Sequence, residues 1–325
     1  MTKPATPPRQ SGEKEALLSN VALLYYGEGL TQGEIAKRMK VSRATIVNML
    51  RESRELGVVE IRVDGQFLTG SSLARELREK FGLEDVYVAQ SASDQVPVSR
   101  DEMLVQLSRV AAMAVLDVVE PGDRLGVAWG ETIMGVADAM PRNAVADIEV
   151  CQLIGSMISD RVPASENCTI QIANKLGARC FTLHAPGLIS SAELATQFCA
   201  EPTIRMQLDR LKTLDMAIYS IGNVAPETHL VAAGMTSEAA LSDAVAAGAV
   251  GILCCRYLSA EGQQIDLPPH DRLIAADVAD LKSARKKLLV VCGTDRGEAT
   301  LACIRGGLAT HLVVDRSLAN ELLNA

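Results

Sequence analysis

Two groups of residues have the types and spacing to do chemistry. In the first, Arg43 and Asn48 sit in a short basic stretch with Lys37, Arg38, Lys40, Arg51 and Arg54. A guanidinium forks onto guanine O6 and N7, and a carboxamide onto adenine N6 and N7, so these two suit base edges. Thr31, Lys37, Ser42 and Arg51 are better suited to phosphates. In the second group, the string GVAWGETI ends in Gly130, Glu131 and Thr132 just where a helix is expected to begin, a place where backbone amides hold anions. The residues alone leave an ordinary strand-to-helix turn, needing glycine for its conformation, equally open.

The remaining reactive residue types are arranged for no reaction. His184, His229, His270 and His311 are the only histidines, and none stands in the spacing of two metal ligands on one helix face, so neither metal nor cofactor is expected. His184, beside the segment HAPG, reads as a satisfied structural histidine. Asp160, Glu166 and Glu193 lie near candidate loops without the pairing that marks an acid and a base. The eight cysteines occupy apolar strings and lack the paired spacing of zinc knuckles, so they read as buried thiols.

These groups need elements to position them. A chain of 325 residues exceeds what one core organises, so a small domain joined to a large one is expected. With 48% hydrophobic, 22% charged and 3% aromatic residues it is aliphatic-cored rather than disordered. It carries no apolar run of membrane-spanning length, and its polar, proline-rich start has no signal-peptide character, so a cytoplasmic location without membrane attachment is expected. The net charge of -8 argues against a nucleic-acid partner until its distribution is considered. The cations cluster between residues 37 and 54, whereas much of the acidic excess lies further along: a basic head on an acidic body.

Residues 1–12 read as an unstructured leader and 13–64 as the head, with the boundary near Gly65. A first helix spans Lys14 to Tyr26 and stops at Gly27 and Gly29. Thr31 caps a second helix, Glu34 completes a capping box, and Ile35, Ala36 and Met39 face inward. Ser42 caps a third, on which Ile46, Met49 and Leu50 face inward, with Val41 joining the shared core. The exposed face of this helix-turn-helix then carries Ser42, Arg43, Ala44, Val47, Asn48 and Arg51, with Gln32 and Thr45 as further DNA-contact candidates at the starts of the two helices. The turn of such motifs usually holds glycine where this chain has Lys40, so Lys40 must take a left-handed conformation or the turn another form. VVEIRV (58–63) predicts a short strand or wing, and DGQ a linker.

The body, residues 65–325, opens with a helix from Ser71 to Phe81. It then alternates helical patterns with the strings VYVAQ, RLGVAW, IEVCQLIG, MAIYSIG, AVGILCC, KLLVVCG and HLVVD. That alternation predicts a doubly wound, Rossmann-like α/β domain. Ligands of such sheets bind at the strand ends. These include the Gly155-Ser156 turn after CQLI and the Gly222-Asn223 turn after MAIYSI, with Gln152 pointing into the crevice.

The chain resembles the SorC family of sugar-binding transcriptional regulators over nearly its whole length. The resemblance is carried by LLYYGEGLTQGEIAKRMKVSRATIVNMLRESRELGVVEI, GVAWGETI, CQLIGSM, HAPGLISSAELATQFCAEPTIRMQL, GAVGILCCRYLSAEG and VVCGTDRGEATLACIRGGLATHLVVD, in that order. It implies a tetrameric repressor or activator. The large domain would be similar to sugar-phosphate isomerases and deaminases, and would bind a sugar, sugar phosphate or polyol as effector. Where family members commonly place a phosphate-contacting Lys, this chain has Arg296, which keeps the charge and adds a forked geometry. Ile252 replaces the acidic residue that often bonds sugar hydroxyls, Cys255 stands where Gly is usual, and Ser259 where Asp is usual. The resemblance therefore points to a smaller, less hydroxylated effector or another pose.

The expected function is a repressor of a carbohydrate or polyol catabolic operon, its partners operator DNA, a small effector and further copies of itself. A dimer or tetramer would assemble through the large domain and the Ser71–Phe81 helix. The alternative is an isomerase or deaminase with a DNA-binding appendage, which rests on fold analogy alone.

Overall fold

Thr31 and Ser42 shape the start of the molecule. In the computed structural model, which describes residues 10–59, 70–90, 99–157, 164–226 and 228–325, Thr31 Oγ1 accepts the Glu34 N–H and the Glu34 carboxylate accepts the Thr31 N–H at 2.8 Å. This capping box starts helix α2 (Gln32–Met39). Ser42 Oγ accepts the Thr45 N–H at 3.0 Å and starts α3 (Arg43–Glu55). Ahead of them α1 (Gln10–Ala22) runs into a π-helical turn at Leu23–Gly27. The helix thus begins inside the segment expected to be an unstructured leader, whose residues 1–9 lie outside the described residues.

Between α2 and α3, Lys40 takes the left-handed conformation itself, φ 56° and ψ 40°, with its N–H on the Ala36 and Lys37 carbonyls. Val21, Leu24, Ile35, Ala36, Ile46 and Leu50 form the core of this bundle. Val41, expected in that core, is instead 40% exposed. Its N–H closes the helix end on Ala36 O at 3.0 Å, which holds the residue at the rim.

The chain divides into two compact units, Met1–Arg62 and Val63–Ala325. The wing residues past Val59, the DGQ linker, the boundary at Gly65 and Asp160 all lie outside the described residues.

The second unit is built on a seven-stranded parallel sheet. Its strands are β1 (Asp85–Ala89), β2 (Arg124–Val127), β3 (Glu149–Gln152), β4 (Arg179–Phe181), β5 (Met216–Tyr219), β9 (Lys286–Val291) and β10 (His311–Asp315), in the order β1-β10-β9-β5-β2-β3-β4. From β2 the chain steps outward to β3 and β4, then returns to β5 on the other side of β2. The direction of winding therefore reverses between β2 and β5, and a crevice opens at their carboxyl ends. Helices α5 (Arg100–Val118), α6 (Glu131–Ala139) and α7 (Ser165–Leu176) cover one face. On the other lie α4 (Ser72–Phe81), α9 (Pro202–Leu211), α12 (Val278–Ser283), α13 (Gly297–Arg305) and α14 (Arg316–Asn324).

One predicted strand leaves this sheet. AVGILCC forms β6 (Ala249–Leu253), which pairs antiparallel with β7 (Arg256–Ser259), itself paired with β8 (Gln264–Ile265). The cause is local: Cys254 and Cys255 adopt φ of 47° and 63°, the mirror-image turn that reverses a hairpin in two residues. Conversely β4 was not predicted, because it is three residues long and exposes Arg179 and Cys180 at the sheet edge.

Helix α4 buries Ala74 and Leu77 against β1 and α14 of its own unit and turns Arg75, Glu76, Glu79 and Lys80 to solvent. The apolar side of this helix thus packs within its own unit. At the opposite end of the sheet from the crevice, buried Lys286 donates to Asp123 at 2.6 Å, Glu120 at 2.9 Å and the Val118 carbonyl at 2.9 Å. Among the described residues no helix is long and apolar enough to cross a membrane.

Candidate functional site

On α3, Ile46 and Leu50 point into the bundle, so helical periodicity turns positions 43, 47, 51 and 44, 48 outward. Ser42, Arg43, Ala44, Thr45, Val47, Asn48 and Arg51 are all exposed, as are Thr31 and Lys37 on the α2 side, while Gln32 is half-buried. Their side chains differ in freedom. Arg43 Nε donates to Gln32 Oε1 at 3.4 Å, the Ser42 and Thr45 hydroxyls bond each other at 2.8 Å, and Arg51 lies 3.6 Å from Glu55. Among the described residues Lys37 and Asn48 make no side-chain hydrogen bond or ion pair. The same face holds a residue that sequence reasoning missed: Tyr26, 42% exposed, lines a hollow with Tyr25, Gln32 and Arg43. The pair Tyr25-Tyr26 in a chain with so few aromatics was the available signal.

In the second unit, a cavity lies at the winding reversal. The end of β2 supplies Ala128, Trp129 and the start of α6, and the end of β5 supplies Ser220, Ile221 and Gly222. Arg296, Ile252, Cys254, Cys255, Thr228 and Leu230 complete the wall. Six expected effector residues meet here: Gly130, Glu131, Thr132, Gly222, Ile252 and Arg296. Gly130 has φ +110°, a conformation that side chains rarely adopt, and brings no side-chain cap to α6. The amides of the first turn are therefore directed at the cavity without a capping oxygen from Gly130.

Arg296 is 7% exposed. One terminal nitrogen donates to the Cys292 carbonyl, but its Nε has no hydrogen-bond partner, and among the described residues no carboxylate lies within ion-pair distance. Burial pushes its pKa below the usual guanidinium value, against the opposing field of Asp295. Asp295 itself accepts from Asn223 Nδ2 at 2.7 Å, which places Asn223 outside the cavity wall.

The other expected residues have different duties. Gln152 is 1% exposed: its Nε2 donates to Ile154 O (2.7 Å) and Ser165 Oγ (2.9 Å), and its Oε1 accepts from Leu183 N (2.9 Å). It does not point into the crevice but ties the ends of β3 and β4 to α7, since a buried carboxamide must spend its bonds on whatever surrounds it. Gly155 packs where a Cβ would come within 2.5 Å of Ala185 O, a close approach that needs glycine. Ser156 lines a separate hollow with exposed His184, Met157 and Met235.

Trp129, Ser220, Thr228, Leu230 and Cys254 were not singled out from the sequence. Trp129, the lone tryptophan, stands beside Gly130 and shares the cavity wall with Cys255. Burial pushes the Cys254 thiol up to about 12 and raises that of Cys255 as well, so both line the wall as neutral thiols. Ile252 contributes twice, its side chain to the apolar cluster behind the wall and its backbone to a two-bond bridge with Gly222, 2.9 Å in each direction.

A known sugar-binding domain family, Sugar-bind, matches residues 66–324. The transcriptional regulator YjhU of Escherichia coli is 35% identical over 303 residues, 92% of each chain. The chain belongs to the SorC family of sugar-binding transcriptional regulators. Another relative, the deoxyribonucleoside regulator of Bacillus subtilis, is 29% identical over 314 residues, covering 96% of this chain and 98% of its own. The full-length sorbitol operon regulator SorC of Klebsiella pneumoniae has a crystal structure that matches with a TM-score of 0.70 at 24% identity, over 96% of this chain and 99% of that one. That likeness is one of fold. Of the three departures from the SorC-family pattern, Ile252 and Cys255 lie on the cavity wall, whereas Ser259 lies off it and donates to Glu261 at 2.9 Å.

Proposed function

We propose that this protein is a cytoplasmic repressor of a carbohydrate or polyol catabolic operon, released from its operator by a phosphorylated sugar derivative whose anion sits between Arg296 and the start of α6. The observation that carries this reading is the buried Arg296 with its unpartnered Nε. A guanidinium withdrawn from water with an unmet donor is costly, and an anion that accepts from it recovers that cost. The uncapped first turn of α6 adds a favourable dipole from the same side.

The cavity holds about 80 Å³, well below the roughly 300 Å³ of small-molecule pockets, so a sugar has to part its walls. Those walls include the Gly222–Ile252 bridge and the segment bearing Thr228 and Leu230. Effector binding at this place changes the unit's shape, which is what control of DNA affinity between copies in a homo-oligomer requires. The exposed face from Ser42 to Arg51 supplies the DNA contacts, with Arg43 and Asn48 on base edges. The relatives' names support the operon class: they include the sorbitol operon regulator and the Brucella abortus erythritol catabolism regulatory protein EryD.

Thermal unfolding of the full chain with a panel of sugars, polyols and their phosphates tests the effector. Phosphorylated compounds are expected to raise the midpoint, and Arg296→Met to abolish that rise. Stabilisation by free polyols alone, unchanged in Arg296→Met, would overturn the anionic assignment. The enzyme alternative predicts turnover of the stabilising compound by the same chain, and observing it would overturn a purely regulatory reading.

A further inference from the structure

We infer that the groove between α5 and α6 is a self-complementary contact between two copies of this chain. The groove is lined by Leu104, Val105 and Arg109 on α5 and by Met134 and Asp138 on α6. Val105 is 50% exposed, an apolar side chain presented to solvent in the second turn of a long helix. Ser108 Oγ, buried beside it, has no hydrogen-bond partner.

The charges select the occupant. Arg109 and Asp138 are both exposed and stand on opposite walls, one on each helix. Among the described residues neither makes an ion pair or a side-chain hydrogen bond. An apolar floor between one cation and one anion suits a surface related to itself by a twofold axis, because Arg109 of each copy then faces Asp138 of the other and the contact closes after two chains. A nucleic acid would meet the carboxylate of Asp138, so it fits less well. Glu131 also lines the strand-end cavity, so the groove and that site adjoin at the start of α6. The contact itself stands whether or not the effector reading holds.

Sedimentation velocity of the full chain over a range of concentrations tests this. Wild type is expected to associate, and Arg109→Asp and Asp138→Arg each to weaken association at least about tenfold, because like charges then face each other twice. The double variant R109D/D138R restores opposite pairing and is expected to recover association. Val105→Arg should weaken it with both charges in place. Single variants that associate like wild type, a double variant no better than the singles, or a wild type that stays monomeric would each overturn the inference. A groove covered by another part of the same chain would give the first of these results. DNA binding by the same variants reports on the helix-turn-helix independently.

Discussion

Arg43 donates its Nε–H to the side-chain carbonyl of Gln32 across 3.4 Å, joining the first turn of α3 to the first turn of α2. This bond occupies Nε and not the two terminal nitrogens of the exposed guanidinium, the pair that forks onto guanine. It also restrains a long side chain that would otherwise lose rotamer freedom on binding.

Arg43→Ala is therefore expected to weaken binding to the best operator by about 1–3 kcal/mol and to change the preferred sequence. Lys37→Ala should weaken binding to all sequences alike and lower the salt dependence. Titrations against an operator and a scrambled duplex at several salt concentrations separate the two. Equal losses on both duplexes for both variants would contradict these roles.

Lys40 is an exposed residue held at φ 56° by two bonds from its N–H to helix carbonyls. A side chain in this region costs about 1–2 kcal/mol that glycine does not pay. Lys40→Gly should stabilise the first unit by about 1 kcal/mol, seen as slower amide exchange in α2 and α3 of the full chain. Unchanged or faster exchange would show that the turn has another source of stability.

Arg296→Met removes a buried charge and keeps its volume. Replacing a poorly satisfied buried ion by an apolar side chain is often neutral or stabilising. The midpoint without ligand is expected to stay or rise, while the stabilisation by a phosphorylated ligand disappears; at a concentration about a hundredfold above Kd that is about 2.7 kcal/mol. A variant that loses stability in the absence of ligand would mark Arg296 as a framework residue.

The cluster at the base of the sheet makes stability depend on acid. Hydrogen bonds from Arg285 and Lys286 lower the Glu120 carboxyl from 4.5 to about 2. A carboxyl depressed by folding contributes its stabilisation fully above the unfolded value and loses it as pH falls through the folded one. Stability is expected to fall between about pH 4.5 and 2, and Glu120→Gln to flatten that limb in urea titrations. Asp123→Ala should cost far more, about 3–5 kcal/mol at neutral pH, because it leaves Lys286 buried without its nearest counter-charge.

What the sequence determined by itself is what depends on near neighbours. Thr31 with Glu34, Ser42 with Thr45, and the inward spacing of Ile46 and Leu50 specify two capped helices and the face between Ser42 and Arg51, because caps and helical periodicity act over three or four residues. The aliphatic strings before Gly130 and Gly222 likewise read as strands. Tertiary structure decided everything that needs a partner far along the chain. It moved β6 into a hairpin, tied Gln152 to Ser165 and Leu183, and drew residues from 128 to 296 around one cavity. Composition shows that Gln152 and Arg296 are polar, but whether a buried donor is satisfied depends on which distant atoms pack beside it. Gln152 found all its partners and Arg296 did not, and that difference separates a framework residue from a candidate for the effector.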